Sequence, residues 1–162
     1  MPPPAIRLGH PIVEDFAYLA RRMRPDEIEQ FLAFGGLHEY DADIAARAFA
    51  ATPGPSYVFV GADGLPFLAG GFQPLRPGVF DGWLVGTLAG WEAHGFAITR
   101  ICRRVIDQML VDGAHRVQIA ALASRTAAHD WYERGLGLQR EGVLRAYCAD
   151  GSDAVMFAKV RR

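Results

Sequence analysis

The spacing of apolar and polar residues changes period along the chain, and each change predicts an element. A short apolar start at 5–8 leads to Pro25, which suits a first helical position, with Asp26 and Glu27 in the positive first turn. Ile28, Phe31 and Leu32 supply a buried stripe, and Gly35-Gly36 stops that helix. Asp41 caps a second helix running through Ile44 and Ala45 to about Ala50, where Pro53-Gly54-Pro55 ends it. The period then shortens. Residues 57–60 and 65–70 read as strands joined at Asp63-Gly64, and 79–87 reads as a strand apolar on both faces apart from Asp81, hence mid-sheet. From Ile98, apolar residues at Ile101, Cys102, Val105, Ile106, Met109 and Leu110 have helical spacing up to Gly113, with Arg100, Arg103, Arg104, Asp107 and Gln108 opposite. Val117, Ile119 and Ala121 continue as a strand. Ser124 is placed to cap a helix carrying Ala127, Ala128, Trp131 and Tyr132, and strands 142–148 and 154–160 flank Asp150-Gly151 as a hairpin.

Composition narrows the class. The 162 residues, 51% hydrophobic and 22% charged, fit one globular domain over 1–162 with its own core. A net charge of -1 lacks the electrostatic pull of a nucleic-acid binder, so no nucleic-acid partner is expected. Cys102 and Cys148 fall in a helical and a strand pattern, which points to a reducing compartment rather than a disulfide framework. The start Met1-Pro2-Pro3-Pro4 has no basic and apolar export pattern, and no apolar run is long enough for a bilayer, so a cytoplasmic protein without membrane partner is expected.

The order β-α-α-β-β-β-α-β-α-β-β resembles the GNAT N-acetyltransferases over almost the whole chain. Trp131-Tyr132-Glu133-Arg134, then Leu136-Gly137-Leu138 and Glu141-Gly142-Val143-Leu144-Arg145, is similar to the family's last helix, glycine break and following strand. The segment 79–113 is similar to its coenzyme-binding strand, turn and helix. The resemblance implies an α+β fold, a mixed and mostly antiparallel central sheet flanked by helices, and transfer of an acetyl group from acetyl-CoA to an amine acceptor. The first half is also similar, through Met23-Arg24-Pro25 and Gly82-Trp83-Leu84-Val85-Gly86-Thr87, to small GNAT-like proteins of tailed bacteriophages, some of them internal virion proteins. That likeness implies a catalytically inactive module acting by protein contact, as a homodimer or beside a virion partner.

The resemblance also assigns residues. The family's Gln/Arg-x-x-Gly-x-Gly/Ala places free helix N-terminal amides on a pyrophosphate, and its counterpart here is Glu92-Ala93-His94-Gly95-Phe96-Ala97, with an acid first. Coenzyme contacts are therefore expected from Leu84, Val85, Gly86, His94, Gly95, Phe96, Ala97 and Arg100. Arg100, Arg103 and Arg104 either meet phosphates or form a solvated face. A tyrosine that protonates the leaving thiolate corresponds to Tyr132, or a register shift puts Trp131 there, because Gly135 adds a residue to the usual Tyr-Glu-Arg-Leu-Gly. Asp81 is the first candidate base, with His94 and Glu92 as others. The histidines His10, His38, His94, His115 and His129 lack metal-site spacing, and no nucleophile elbow or phosphate loop occurs, so no metal and no hydrolase chemistry is expected. Lys159 is the sole lysine.

Overall fold

Among the described residues these patterns assemble into one seven-stranded sheet with helices on both faces. The computed structural model describes residues 7–162; Ala5, Ile6 and the proline-rich start lie outside the described residues. The strands are β1 (Arg7–Gly9), β2 (Ser56–Val60), β3 (Pro66–Arg76), β4 (Val79–Gly86), β5 (Arg116–Leu122), β6 (Gln139–Leu144) and β7 (Ala154–Val160). Their order is β1-β2-β3-β4-β5-β7-β6, and only the β4–β5 pair is parallel. The mixed, mostly antiparallel sheet expected from the resemblance is what forms.

Helices α1 (Val13–Ala20), α2 (Pro25–Gly35) and α3 (Ala42–Ala51) cover one face. Phe16, Leu19 and Ala20 of α1 pack with Ala45 and Ala46 of α3 onto Ala69 and Val85. The opposite face carries α4 (Leu88–Val111) and α5 (Thr126–Asp130). There Ile98 meets Phe59, Phe67 and Leu68, while Ile106 and Leu110 meet Val117, Val155 and Phe157. Side-chain alternation along β4 therefore sends Asp81, Trp83 and Val85 to the α1–α3 side, and Leu84 to the α4 side.

Several boundaries differ from the sequence reading, each for a physical reason. The sequence pattern did not predict helix α1; its first turn is held by Asp15, whose carboxylate accepts from the Ile12 amide at 2.9 Å. Asp41 caps α3 as expected, accepting from the Asp43 and Ile44 amides. Ser124 does not cap α5, which starts at Thr126 after Arg125 and has no side-chain cap. The last hairpin is also looser. Strand β6 ends at Leu144, and 145–153 forms a loop in which Asp153 accepts from the Ala146 amide and Gly151 takes φ 86°.

The largest difference is in α4. It begins at Leu88, where the Thr87 hydroxyl accepts from the Gly90 amide at 3.0 Å, and runs without a break to Val111. The expected turn up to Ala97 is therefore helix. Gly90 did not act as a breaker because it is a contact residue: a Cβ there would lie 2.7 Å from Cβ of Phe67.

Candidate active site

Strands β4 and β5 pair only from Val79–Arg116 to Asp81–Gln118, then part. Beyond that point Gly82, Trp83 and Leu84 of β4 face Ile119 and Ala120 of β5 across an open wedge. A cavity of about 590 Å³ fills the wedge. Helix α2 closes it on one side through Arg24, Asp26, Glu27, Gln30, Phe31 and Phe34; Trp91, Arg125, Trp131 and Tyr132 close it on the other. Such a volume suits a small organic ligand.

Polar groups converge at the α2 N-terminus. Glu27, 6% exposed, accepts from the Arg24 guanidinium at 2.9 Å and from the Gly86 amide at 3.1 Å. Burial raises its carboxyl above the ordinary value, and the Arg24 charge and the two bonds only partly oppose this. Asp26 shifts the other way: burial acts to raise it, but the Arg125 hydrogen bond and charge, with Arg24, hold it below the ordinary value. Arg125, 8% exposed, grips Asp26 with two nitrogens at 2.9 and 3.0 Å and Gln30 at 2.9 Å. The Arg24 guanidinium lies over Trp91, 4.7 Å from its ring centre.

Tyr132 reaches this cavity while remaining 4% exposed, beside Arg125 and edge-on to Phe157. Burial raises its phenol pKa, so the hydroxyl is a neutral donor near pH 7. The segment Trp131–Gly135 forms a π turn, in which the Leu136 amide bonds to the Trp131 carbonyl at 2.9 Å. That wider turn absorbs the extra Gly135. Trp131 also lines the cavity, but its indole nitrogen donates to the Thr99 hydroxyl at 2.8 Å and its ring packs edge-on against Trp91, 4.9 Å between centres.

The other sequence candidates divide. Asp81 and Leu84 line the cavity. Val85 points away into the α1 cluster, and the Gly86 amide is taken by Glu27. His94, Gly95, Phe96 and Ala97 do not form a loop; they lie inside α4, where amides bond to preceding carbonyls and offer no donors to a phosphate. The free donors of α4 lie about two turns earlier, at Leu88 and Ala89. His94 packs on Phe67, 4.5 Å between ring centres, and Glu92 is exposed, so neither lines the cavity as a base. Arg100, Arg103 and Arg104 form an exposed α4 face with Phe96, which is 83% exposed. Arg24, Glu27, Trp91 and Arg125 carry no local signal as site residues, because only the tertiary packing buries and aims them. Among the described residues, no three His, Cys, Asp or Glu side chains group as metal ligands, and no helix is long and apolar enough to cross a membrane.

A parallel pair splayed open within an otherwise antiparallel sheet, with helices on both faces, is the architecture of acyl-CoA N-acyltransferases. The chain has the fold of the GCN5-related N-acetyltransferases over nearly its whole length. It superposes on a GCN5-related N-acetyltransferase from Kribbella flavida with TM-score 0.67 at 21% identity, covering 96% of this chain and 98% of that one. The ribosomal-protein-S18-alanine N-acetyltransferase from Escherichia coli gives TM-score 0.69 at 15% identity, with 97% and 94% covered. A mutant spermidine N-acetyltransferase from Vibrio cholerae gives TM-score 0.69 at 12% identity, with 96% and 94% covered. No protein-family model and no curated protein matches the sequence.

Proposed function

We propose that the protein is an N-acyltransferase that takes an acyl thioester such as acetyl-CoA, and an amine, into the wedge between β4 and β5. The parting of these strands after Asp81–Gln118 is the observation that carries this reading, since it opens a largely apolar cavity through the sheet, with a few polar groups, where donor and acceptor can meet. The amine arrives as an ammonium and gives a proton to Asp81. Its lone pair then attacks the thioester carbonyl, the C–N bond forms as C–S breaks, the Tyr132 hydroxyl protonates the departing thiolate, and the new amide nitrogen gives its excess proton back to the Tyr132 phenolate while Asp81 releases its own to solvent. Glu27 and Arg125 act by position: they fix α2 against β4 and α5, and so set the width of the wedge. The coenzyme's phosphates find no cradle at Gly95–Ala97, so only the thioester arm is assigned a place.

A second reading draws on that same point. With the amides of Gly95, Phe96 and Ala97 used inside α4, and Phe96 presented to solvent, the fold can serve as an inactive module acting by protein contact, as a virion component or dimer. Calorimetry with acetyl-CoA decides between them. Binding at micromolar to millimolar ligand, with acetyl transfer to an amine panel, supports the first reading; no heat at millimolar ligand overturns it and supports the second.

A further inference from the structure

Three carboxylates line the cavity, and two are neutralised: Glu27 by Arg24 and Asp26 by Arg125. Asp81 is different. Its one side-chain partner is the Gln118 amide at 3.4 Å, and it makes no ion pair among the described residues. The guanidinium nearest along that chain of contacts, Arg116, holds Gln118 but is committed to Glu141 through both carboxylate oxygens, at 2.8 and 2.5 Å. Burial consequently dominates the Asp81 environment and raises its carboxyl above the ordinary value. A largely buried carboxylate is costly to keep charged without a cation.

The walls around Asp81 on the α1–α3 side are aromatic. Trp83 projects from the same face of β4 and stacks on Phe49, 5.7 Å between centres with 6° between planes. Phe31 adjoins Phe49 at 5.7 Å, and Phe34 meets Tyr147 edge-on at 5.9 Å. Burial raises the Tyr147 phenol, and the charge of nearby Asp81 adds to the shift. Ring faces beside a single uncompensated acid attract an organic cation.

We propose that this end of the cavity binds a monocationic primary ammonium with an apolar or aromatic body, its nitrogen on Asp81 and its body against Phe49, Trp83 and Phe31. The charge count sets the class: one free acid matches one ammonium, and apolar walls leave the further charges of a polyamine unpaired. As the acceptor in a transfer, this ammonium rests on the acyl-transfer reading; as a ligand of the cavity, it stands without it.

The test is titration of 2-phenylethylamine into the full chain without any thioester, followed by tryptophan fluorescence and calorimetry. Saturable binding is expected, weakened on the order of tenfold or more in Asp81→Asn and less in Phe49→Leu. In the native chain, neutral 2-phenylethanol and the polycation spermidine both bind at least about tenfold more weakly than the amine, a comparison that holds even if a variant misfolds. Absence of saturation, equal binding of 2-phenylethanol, tighter binding of spermidine, or unchanged affinity in a folded Asp81→Asn protein each overturns the inference. If the amine binds while acetyl-CoA does not, the ammonium site stands and acyl transfer falls. If acetyl-CoA binds while the amine does not, this inference falls and transfer stands.

Discussion

Glu27 in the first turn of α2 accepts a hydrogen bond from the backbone amide of Gly86 at the end of β4, 59 residues later and 3.1 Å away. The bond ties the entry of α2 to the strand that forms one wall of the wedge. It also places a buried carboxylate next to the start of α4, whose positive end favours it.

Glu27 and Asp26 should give opposite pH signatures. The raised Glu27 carboxyl contributes stability fully below its unfolded value near 4.5 and loses it as pH rises through its higher folded value. The depressed Asp26 carboxyl contributes above its unfolded value near 3.8 and loses it as pH falls through its lower folded value. Urea unfolding across pH 3–8 is the measurement. Glu27→Gln should flatten the decline above about pH 4.5, and Asp26→Asn the decline below about pH 3.8.

Gly95→Ala separates helix interior from phosphate cradle. No atom lies within 4 Å of a Cβ built at Gly95, and the residue sits in the body of α4. The substitution should stabilise the protein by about 0.5–1 kcal/mol in thermal unfolding. Affinity for acetyl-CoA should not change; a large loss of affinity would return Gly95 to the phosphate site.

Gly135→Ala should do the reverse. A Cβ there would lie 2.7 Å from Cδ1 of Trp131, inside the π turn. Displacing that indole strains its bond to Thr99 and its packing on Trp91, at a cost of about 1–3 kcal/mol in denaturant unfolding.

Arg125→Ala leaves Asp26 and the Gln30 side chain without their shared partner. The expected loss is roughly 2–4 kcal/mol, below that of a fully buried pair because the Asp26 side chain is 47% exposed. Arg125→Lys should recover only part of it, since one ammonium cannot reproduce the fork. Thermal unfolding of both variants checks this.

Tyr40 carries an alkaline signature. Burial, then the charges of Glu27 and Asp41, push its phenol up to about 12, and its hydroxyl donates to the Ala20 carbonyl. Its stabilising contribution is present below the unfolded value near 10 and is lost as pH rises through about 12. Ultraviolet titration of Tyr40→Phe should lose one late phenol of the parent protein, while those of Tyr132 and Tyr147, also raised by burial, remain.

Local sequence determined much of this protein because the signals were local in origin. Apolar period set the helical stripe from Ile98 to Leu110 and the double-sided β4, since each face must be buried against another layer. Glycine marked places where the backbone turns left-handed, at Gly36 with φ 64° and Gly64 with φ 79°, because only a residue without Cβ adopts these freely. The site depended on contacts that no window of sequence contains. Two glycines and scattered polar residues over 89–95 argue for a turn, yet the Thr87 cap, Gly90 against Phe67 and Trp91 against Trp131 extend α4 through them. Asp26 and Glu27 read locally as acids favouring a helix start, which they are. Only the approach of Gly86, Arg24 and Arg125 buries Glu27, pairs Asp26, pulls their proton affinities apart and leaves Asp81 as the cavity carboxylate without an ion pair among the described residues. Tertiary structure decided these points because desolvation and charge pairing depend on distance in space, which the order of residues does not specify.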